Sequence, residues 1–267
     1  MKKRIRKNLR VLRALIRLRF QNLMIFRLDF FGPFFVDGSL FLIQILAFNA
    51  IYSNIETIGT WGRGEMILYI GTFSLLNAVS MTCVFFGVSG IPGKVRSGEM
   101  DLYLSKPISP LFRLTFERIN PGSIPLIIMS ICIILFGIKT SGIVINRNSL
   151  IIYMFWLMIM LILYYEMEVL IRSVSFFTVS TAGMNQLEDA ALSLCMQLPG
   201  IAFYGIYKII FYFILPYGIM ATLPVQSLIG DMSFKMAVEG IAVLIVFSLL
   251  TGIVWKKGLK YYNSASS

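Results

Sequence analysis

The chain has no histidine, three cysteines and only 13 acidic residues among 267. Each shortage removes a class of chemistry. Without histidine there is no Ser-His-Asp or Cys-His nucleophile and no imidazole general base. Cys83, Cys132 and Cys195 stand singly in or beside apolar segments, without the paired spacing of a zinc site or a disulfide framework, so no metal is expected. Charged residues make up 14% of the chain, against 57% apolar residues and a mean hydropathy of +0.80. A soluble domain carries about 25% charged residues. The expected class is therefore an integral membrane protein.

The charge that is present is strongly one-sided, with 24 lysines and arginines and a net charge of +11. In a soluble domain this would suggest nucleic acid. Here the basic residues flank apolar runs, so the expected partner is the lipid bilayer, and no nucleic acid is expected.

Runs of about 20 apolar residues, the length needed to cross a bilayer, lie near 31–53, 66–88, 122–138, 150–171, 203–223 and 236–255. The expected fold is all-α and polytopic, with six transmembrane helices over residues 31–267. Pro216 falls inside the fifth run and predicts a kink or break there. With six spans the two ends share a side. That side holds residues 1–30, 89–121, 172–202 and 256–267, which together carry nineteen of the 24 basic residues, whereas the opposite loops carry four. The bias places both termini in the cytoplasm of a cell-membrane protein.

Residues 1–30 begin with the basic run of a signal peptide, but their charges spread past residue 17 without a clean apolar stretch or cleavage site, and retention is expected. At 100° per residue Ile5, Leu9, Leu12, Ile16, Phe20 and Leu23 share a narrow apolar arc, bordered by Arg6, Arg10, Arg13 and Arg17. This pattern predicts an amphipathic helix lying in the inner headgroup layer, either as a topogenic anchor or in contact with a partner.

Two motifs look like sites and fail on chemistry. GVSGIPGK at 87–94 resembles a phosphate-binding loop, but it has five residues rather than four between Gly87 and Gly93, and Val95 stands where a magnesium-binding hydroxyl belongs. Glu166 and Glu168 lie about 160° apart around a helix, too far for a shared ion site. Glu168 is one turn from Arg172, which predicts a structural pair. The half-polar stretch 172–202 does not read as a span. It is expected to be a second cytoplasmic segment, either a run-on of the fourth helix or a docking feature.

Three features then combine. VRSGEMDLYLSKPISPLFR falls between spans two and three, the Pro-rich outer turn FILPYGIMATLPVQSLIG runs on from the second half of span five, and IVWKKGLKYYNSAS closes the chain. Together with the basic amphipathic start, this order resembles the ABC-2 class of ABC transporter permeases, in its short six-span branch without an ATPase domain. The resemblance covers essentially the whole chain, and its most specific part is Gly-Glu-x-Asp followed by Leu-x-x-Pro-Ile-Ser-Pro.

The resemblance implies a subunit that is not itself an enzyme. Its coupling segment, residues 89–121, would rest on an ABC ATP-binding subunit through Gly98, Glu99, Asp101, Leu104, Lys106 and Pro107. ATP and magnesium would sit on that partner, with no cofactor bound by this chain. A second permease would complete the pathway, a related distinct chain more readily than an identical copy. The Pro-containing outer segment 216–230 would act as a re-entrant cap, with Phe211, Tyr212, Pro216 and Pro224 at the pathway or gate. Few intramembrane charges imply export of an amphipathic or hydrophobic cargo such as a drug, lipid or peptide. The alternatives are an ion-coupled secondary transporter, which would need an ion site beside repeated helix breaks, and a membrane-embedded enzyme, which would need convergent acid, base or metal groups.

Overall fold

The computed structural model describes residues 57–262 except Val179, together with Arg10, Val11, Arg13, Ala14, Leu15, Arg17, Phe35, Ser39 and Leu46. Arg10, Arg13 and Arg17 are helical and exposed. Arg6, most of the expected interfacial helix and most of the span expected at 31–53 lie outside the described residues.

The described residues are helical wherever they form regular structure, apart from one isolated bridge between Ile58 and Trp61. α1, Arg63–Ser80, starts where the Glu65 carboxylate reaches back to accept the Gly62 N–H at 3.0 Å, which satisfies one of the orphan donors of the first turn. It continues through a π turn, Met81–Phe85, and a last turn, Phe86–Val88. The widened turn leaves the Thr82 carbonyl to accept the Asn120 N–H at 2.9 Å, tying the far end of the following insert to the helix that precedes it.

That insert contains α2, Ile91–Ser97, α3, Asp101–Leu104, and α4, Pro110–Phe116. After it come α5, Ile124–Ser141, α6, Arg147–Ser173, and α7, Ala182–Gln197. Next are α8, Gly205–Ile209, its π continuation Ile210–Ile214, α9, Tyr217–Ile229, and α10, Phe234–Tyr261. The side chains of Asn146 and Ser233 cap α6 and α10 by accepting from Ser149 N and Met236 N.

Cross-helix contacts fix the directions. Thr72 and Asn77 of α1 meet Tyr153 and Tyr164 of α6, so these two helices run parallel. Trp156 lies beside Gly240, and Thr251 bonds the Glu166 carbonyl, so α10 runs the same way. α5 runs opposite to α1 along a seam of small residues. Gly64 faces the backbone of Ser141, Gly71 faces Ile134, and Gly137 faces Leu68. Such close backbone approach supplies the packing that apolar burial does not provide between helices in lipid.

Within the described residues, Arg63–Ser97, Pro121–Ser141, Arg147–Phe176 and Phe234–Tyr261 are each long and apolar enough to cross a membrane. The fifth run does not form one straight helix. Gly205–Ile214 and Tyr217–Ile229 meet at 90°, with Pro216 at the corner as expected. α9 is buried from Tyr217 to Leu228, packed on α1 and α6 at the centre of the bundle, whereas the α8 arm exposes Ile206, Ile209 and Ile214.

α7 follows a course that hydropathy does not reveal. Its Glu188 meets Arg172 near the end of α6, and the Cys195 and Leu198 carbonyls accept the Tyr69 hydroxyl near the start of α1. The helix therefore turns back along the bundle, antiparallel to α6, over 16 residues or about 24 Å. It is packed against the other helices and does not continue α6 outward.

Candidate functional site

The insert forms a knuckle at the α6 and α10 C-terminal end of the bundle. α2 ends at Gly98, whose φ of 77° lies in the left-handed region that glycine reaches without a steric penalty. The reversal lets the Met100 N–H bond back to the Lys94 carbonyl and turns the Met100 side chain fully inward. On the exit side Ser109 is the N-cap of α4 and Pro110 its first residue, where the missing N–H is not needed.

The inward face joins the bundle. Val88, Ile91, Met100, Tyr103 and Leu114 pack with Val169 of α6, with Phe176 just after it, and with Trp255 of α10. Gly258 of the terminal Trp-Lys-Lys-Gly motif lies under the Phe176 ring, and Trp255 meets that ring edge-on at 5.4 Å. The insert and the C-terminal motif are far apart in sequence but form one packed unit. Rigid packing of this kind transmits displacement instead of absorbing it.

A polar staple closes the knuckle. Lys94 pairs with Glu117 at 2.6 Å and donates to the Tyr103 hydroxyl at 2.6 Å, while Tyr103 donates to Glu117 at 2.5 Å. Lys94 and Arg113 also lie over the Tyr103 ring at 4.7 and 5.0 Å. Burial and the Glu117 acceptor push the Tyr103 phenol above its ordinary range, so it keeps the proton that it donates. Lys94 is the lysine of the false phosphate loop. Its ammonium is used inside the fold, a role that a lone lysine flanked by Ile91 and Val95 signals only as a need for an acidic partner.

The expected coupling residues fall into three groups. Glu99, Leu104, Lys106 and Pro107 are exposed at the tip, together with Leu102, which is 62% accessible. Two exposed leucines between opposite charges make a small amphipathic face on an otherwise packed unit. Gly98 shapes the turn. Asp101 is half-buried and faces Tyr262 of the chain's own C-terminal segment, whose phenol is pushed up by burial and by that carboxylate. Asp101 therefore belongs with the internal contacts of the knuckle.

A second polar centre lies inside the bundle. Arg172 pairs with Glu168 at 3.1 Å, the one-turn pair expected from spacing, and also with Glu188 of α7. Glu188 in turn accepts the Tyr217 hydroxyl at 3.0 Å, and Tyr217 meets Tyr164 edge-on at 6.2 Å. Arg172, Glu168 and Glu188 are all over 90% buried. One guanidinium thus ties α6, α7 and α9 together.

Of the residues expected at a pathway or gate, Phe211, Tyr212 and Pro216 lie at the bend and Pro224 lies about two turns further along α9. Phe211 stacks on Phe203 at 4.6 Å, Tyr212 is buried beside Gly200, Pro216 is buried at the corner, and Pro224 is buried within α9.

A family model described as ABC-2 family transporter protein matches residues 39–266. No curated protein and no solved structure gives a match to the chain.

Proposed function

Because the chain belongs to the ABC-2 family of transporter proteins, and so is a membrane-embedded permease component of an ABC transporter, we propose that it is the half-pathway subunit of an exporter driven by a separate ATP-binding chain. The knuckle is the observation that carries this reading. It presents Glu99, Leu102, Leu104, Lys106 and Pro107 outward, while its own helices are stapled to one another and its inner face is packed on the ends of α6 and α10.

In this reading ATP and magnesium are held by the partner. Closure of the partner displaces the knuckle, and the helices packed on it move as rigid bodies. A second permease, either a related chain or a copy, completes the route. Of the six crossings, α7 supplies the fifth, supported by its course from Arg172 back to Tyr69. Residues 205–229 then form an elbow that enters and leaves on the outer side, with Pro216 and Pro224 stiffening it and Phe211 and Tyr212 at its bend. Irregular backbone at membrane depth has to be covered by protein or face a cavity, and the burial of α9 meets that condition. The basic ends, including Lys256, Lys257 and Lys260 beside the knuckle, support a reading in which the knuckle and both termini face the cytoplasm and the chain lies in the cell membrane. An amphipathic or hydrophobic cargo fits the scarcity of charge elsewhere in the bundle.

The test is purification of the tagged chain from its native membrane in mild detergent, with ATP hydrolysis measured on the eluate. A separate ATPase is expected to co-elute. Glu99→Arg combined with Leu104→Arg is expected to lose it, with expression and insertion unchanged, because both side chains project from the fold. A chain that elutes alone, without ATPase activity even when its genomic neighbours are co-expressed, would overturn the reading in favour of an ion-coupled transporter.

A further inference from the structure

The inner side of the 90° bend, together with α9 and α10, borders a small cleft that is open at its mouth. Its walls are apolar at Ile219 and Leu223, but four polar side chains reach it: Lys208, Tyr212, Gln226 and Glu239. Lys208 lies over the Tyr212 ring at 5.2 Å. Lys208 and Glu239 line the same cleft, yet no ion pair closes between them, although three other carboxylates of the described residues are paired with a cation. Gln226 is 95% buried, and its side-chain amide makes no hydrogen bond to any described residue. The Gln226 amide faces the cleft without a protein partner, and opposite charges held apart across a cleft forgo their mutual attraction. Both features are accounted for by an occupant that carries charges of both signs.

Depth narrows the choice. The apolar run of α10 ends just before Lys256 and Lys257, and a hydrocarbon core of about 30 Å counted back from there takes about 20 residues and begins near residue 236. Glu239 lies about 5 Å, or one helical turn, inside that border between acyl chains and headgroups. Phe213, which lines the cleft, is 45% accessible, and the neighbouring Ile209 and Ile214 are 55% and 59% accessible, giving an apolar flank where acyl chains can lie.

We propose that this cleft is a binding site for the headgroup of a zwitterionic phospholipid. The phosphate is held at Lys208, the ammonium at Glu239, and the Gln226 amide bonds the phosphate or ester oxygens. The site stands on these residues alone, whether or not the lipid is also the cargo.

The experiment titrates the full-length chain in detergent, purified together with whatever co-elutes, and reads native mass spectra and intrinsic fluorescence. Three probes are used: short-chain phosphatidylethanolamine, short-chain phosphatidylglycerol and free phosphoethanolamine. Wild type is expected to bind the zwitterionic lipid about tenfold more tightly than the anionic one. Glu239→Gln is expected to abolish that preference while leaving phosphatidylglycerol binding unchanged, and Lys208→Gln to weaken both lipids. Lys208 is exposed and Glu239 half-buried, so both variants should remain monodisperse with unchanged melting temperatures. Equal binding of the two lipids by wild type, or indifference to Glu239→Gln, would overturn the site. Competition by free phosphoethanolamine as effective as that by the lipid would overturn the assignment of a membrane source.

Discussion

Arg172→Met is expected to destabilise the bundle by about 3–5 kcal/mol, because it leaves two carboxylates over 90% buried with no cation between them. The measurement is the melting temperature and monodispersity of the purified chain in detergent. Arg172→Lys should recover only part of the loss, since an ammonium cannot address Glu168 and Glu188 at once as the guanidinium does through two nitrogens. The triple change Arg172→Met, Glu168→Leu, Glu188→Met should return most of the stability, because removing a whole buried ion group costs far less than breaking it. A triple variant as unstable as Arg172→Met would mean that the three charges do not act as one unit.

Gly137→Leu is the second large effect. A β-carbon on Gly137 would sit 2.6 Å from the Leu68 nitrogen and 2.9 Å from its Cα, against backbone that cannot rotate away. α1 and α5 would have to separate along the whole small-residue seam, losing the contacts of Gly71 with Ile134 and of Gly64 with Ser141. A loss of about 3 kcal/mol is expected, at the upper end for overpacking. Gly252→Leu is the control, because nothing lies within 4 Å of a β-carbon there. Similar melting temperatures for the two variants would contradict the seam.

How much of this was legible depended on whether the physical cause was local. α1, α5, α6 and α10 follow from apolar length, which is a property of each segment. The pairing of Glu168 with Arg172 follows from helical spacing, and the corner at Pro216 from a missing N–H. α7 could not be read in this way. It has only 16 residues, and Glu188 is buried only because Arg172 and Tyr217, 16 and 29 residues away, satisfy it. A hydropathy window across 203–223 averages the exposed α8 arm with buried α9 and so passes over the bend between them.

The knuckle divides along the same line. The Gly-Glu-x-Asp and Pro-Ile-Ser-Pro pattern located the turn and its stiff exit, since glycine and proline act on their own backbone. The staple of Lys94, Tyr103 and Glu117 was not visible, because it joins residues from two helices and the end of a third. Asp101 looked equivalent to Glu99 in sequence, and only the fold separates them: Asp101 turns to Tyr262 while Glu99 faces outward.

The most direct measurement places a photo-activated cross-linking residue at Leu104 of the full chain in native membranes, with parallel variants at Leu249 on the exposed face of α10 and at Val144 at the opposite end of the bundle. The account predicts an adduct with an ATP-binding protein from Leu104 and none from the other two positions. An ATPase adduct from Val144, or none from Leu104 in membranes where the other positions cross-link to their neighbours, would contradict the claim that this knuckle receives the driving force for transport.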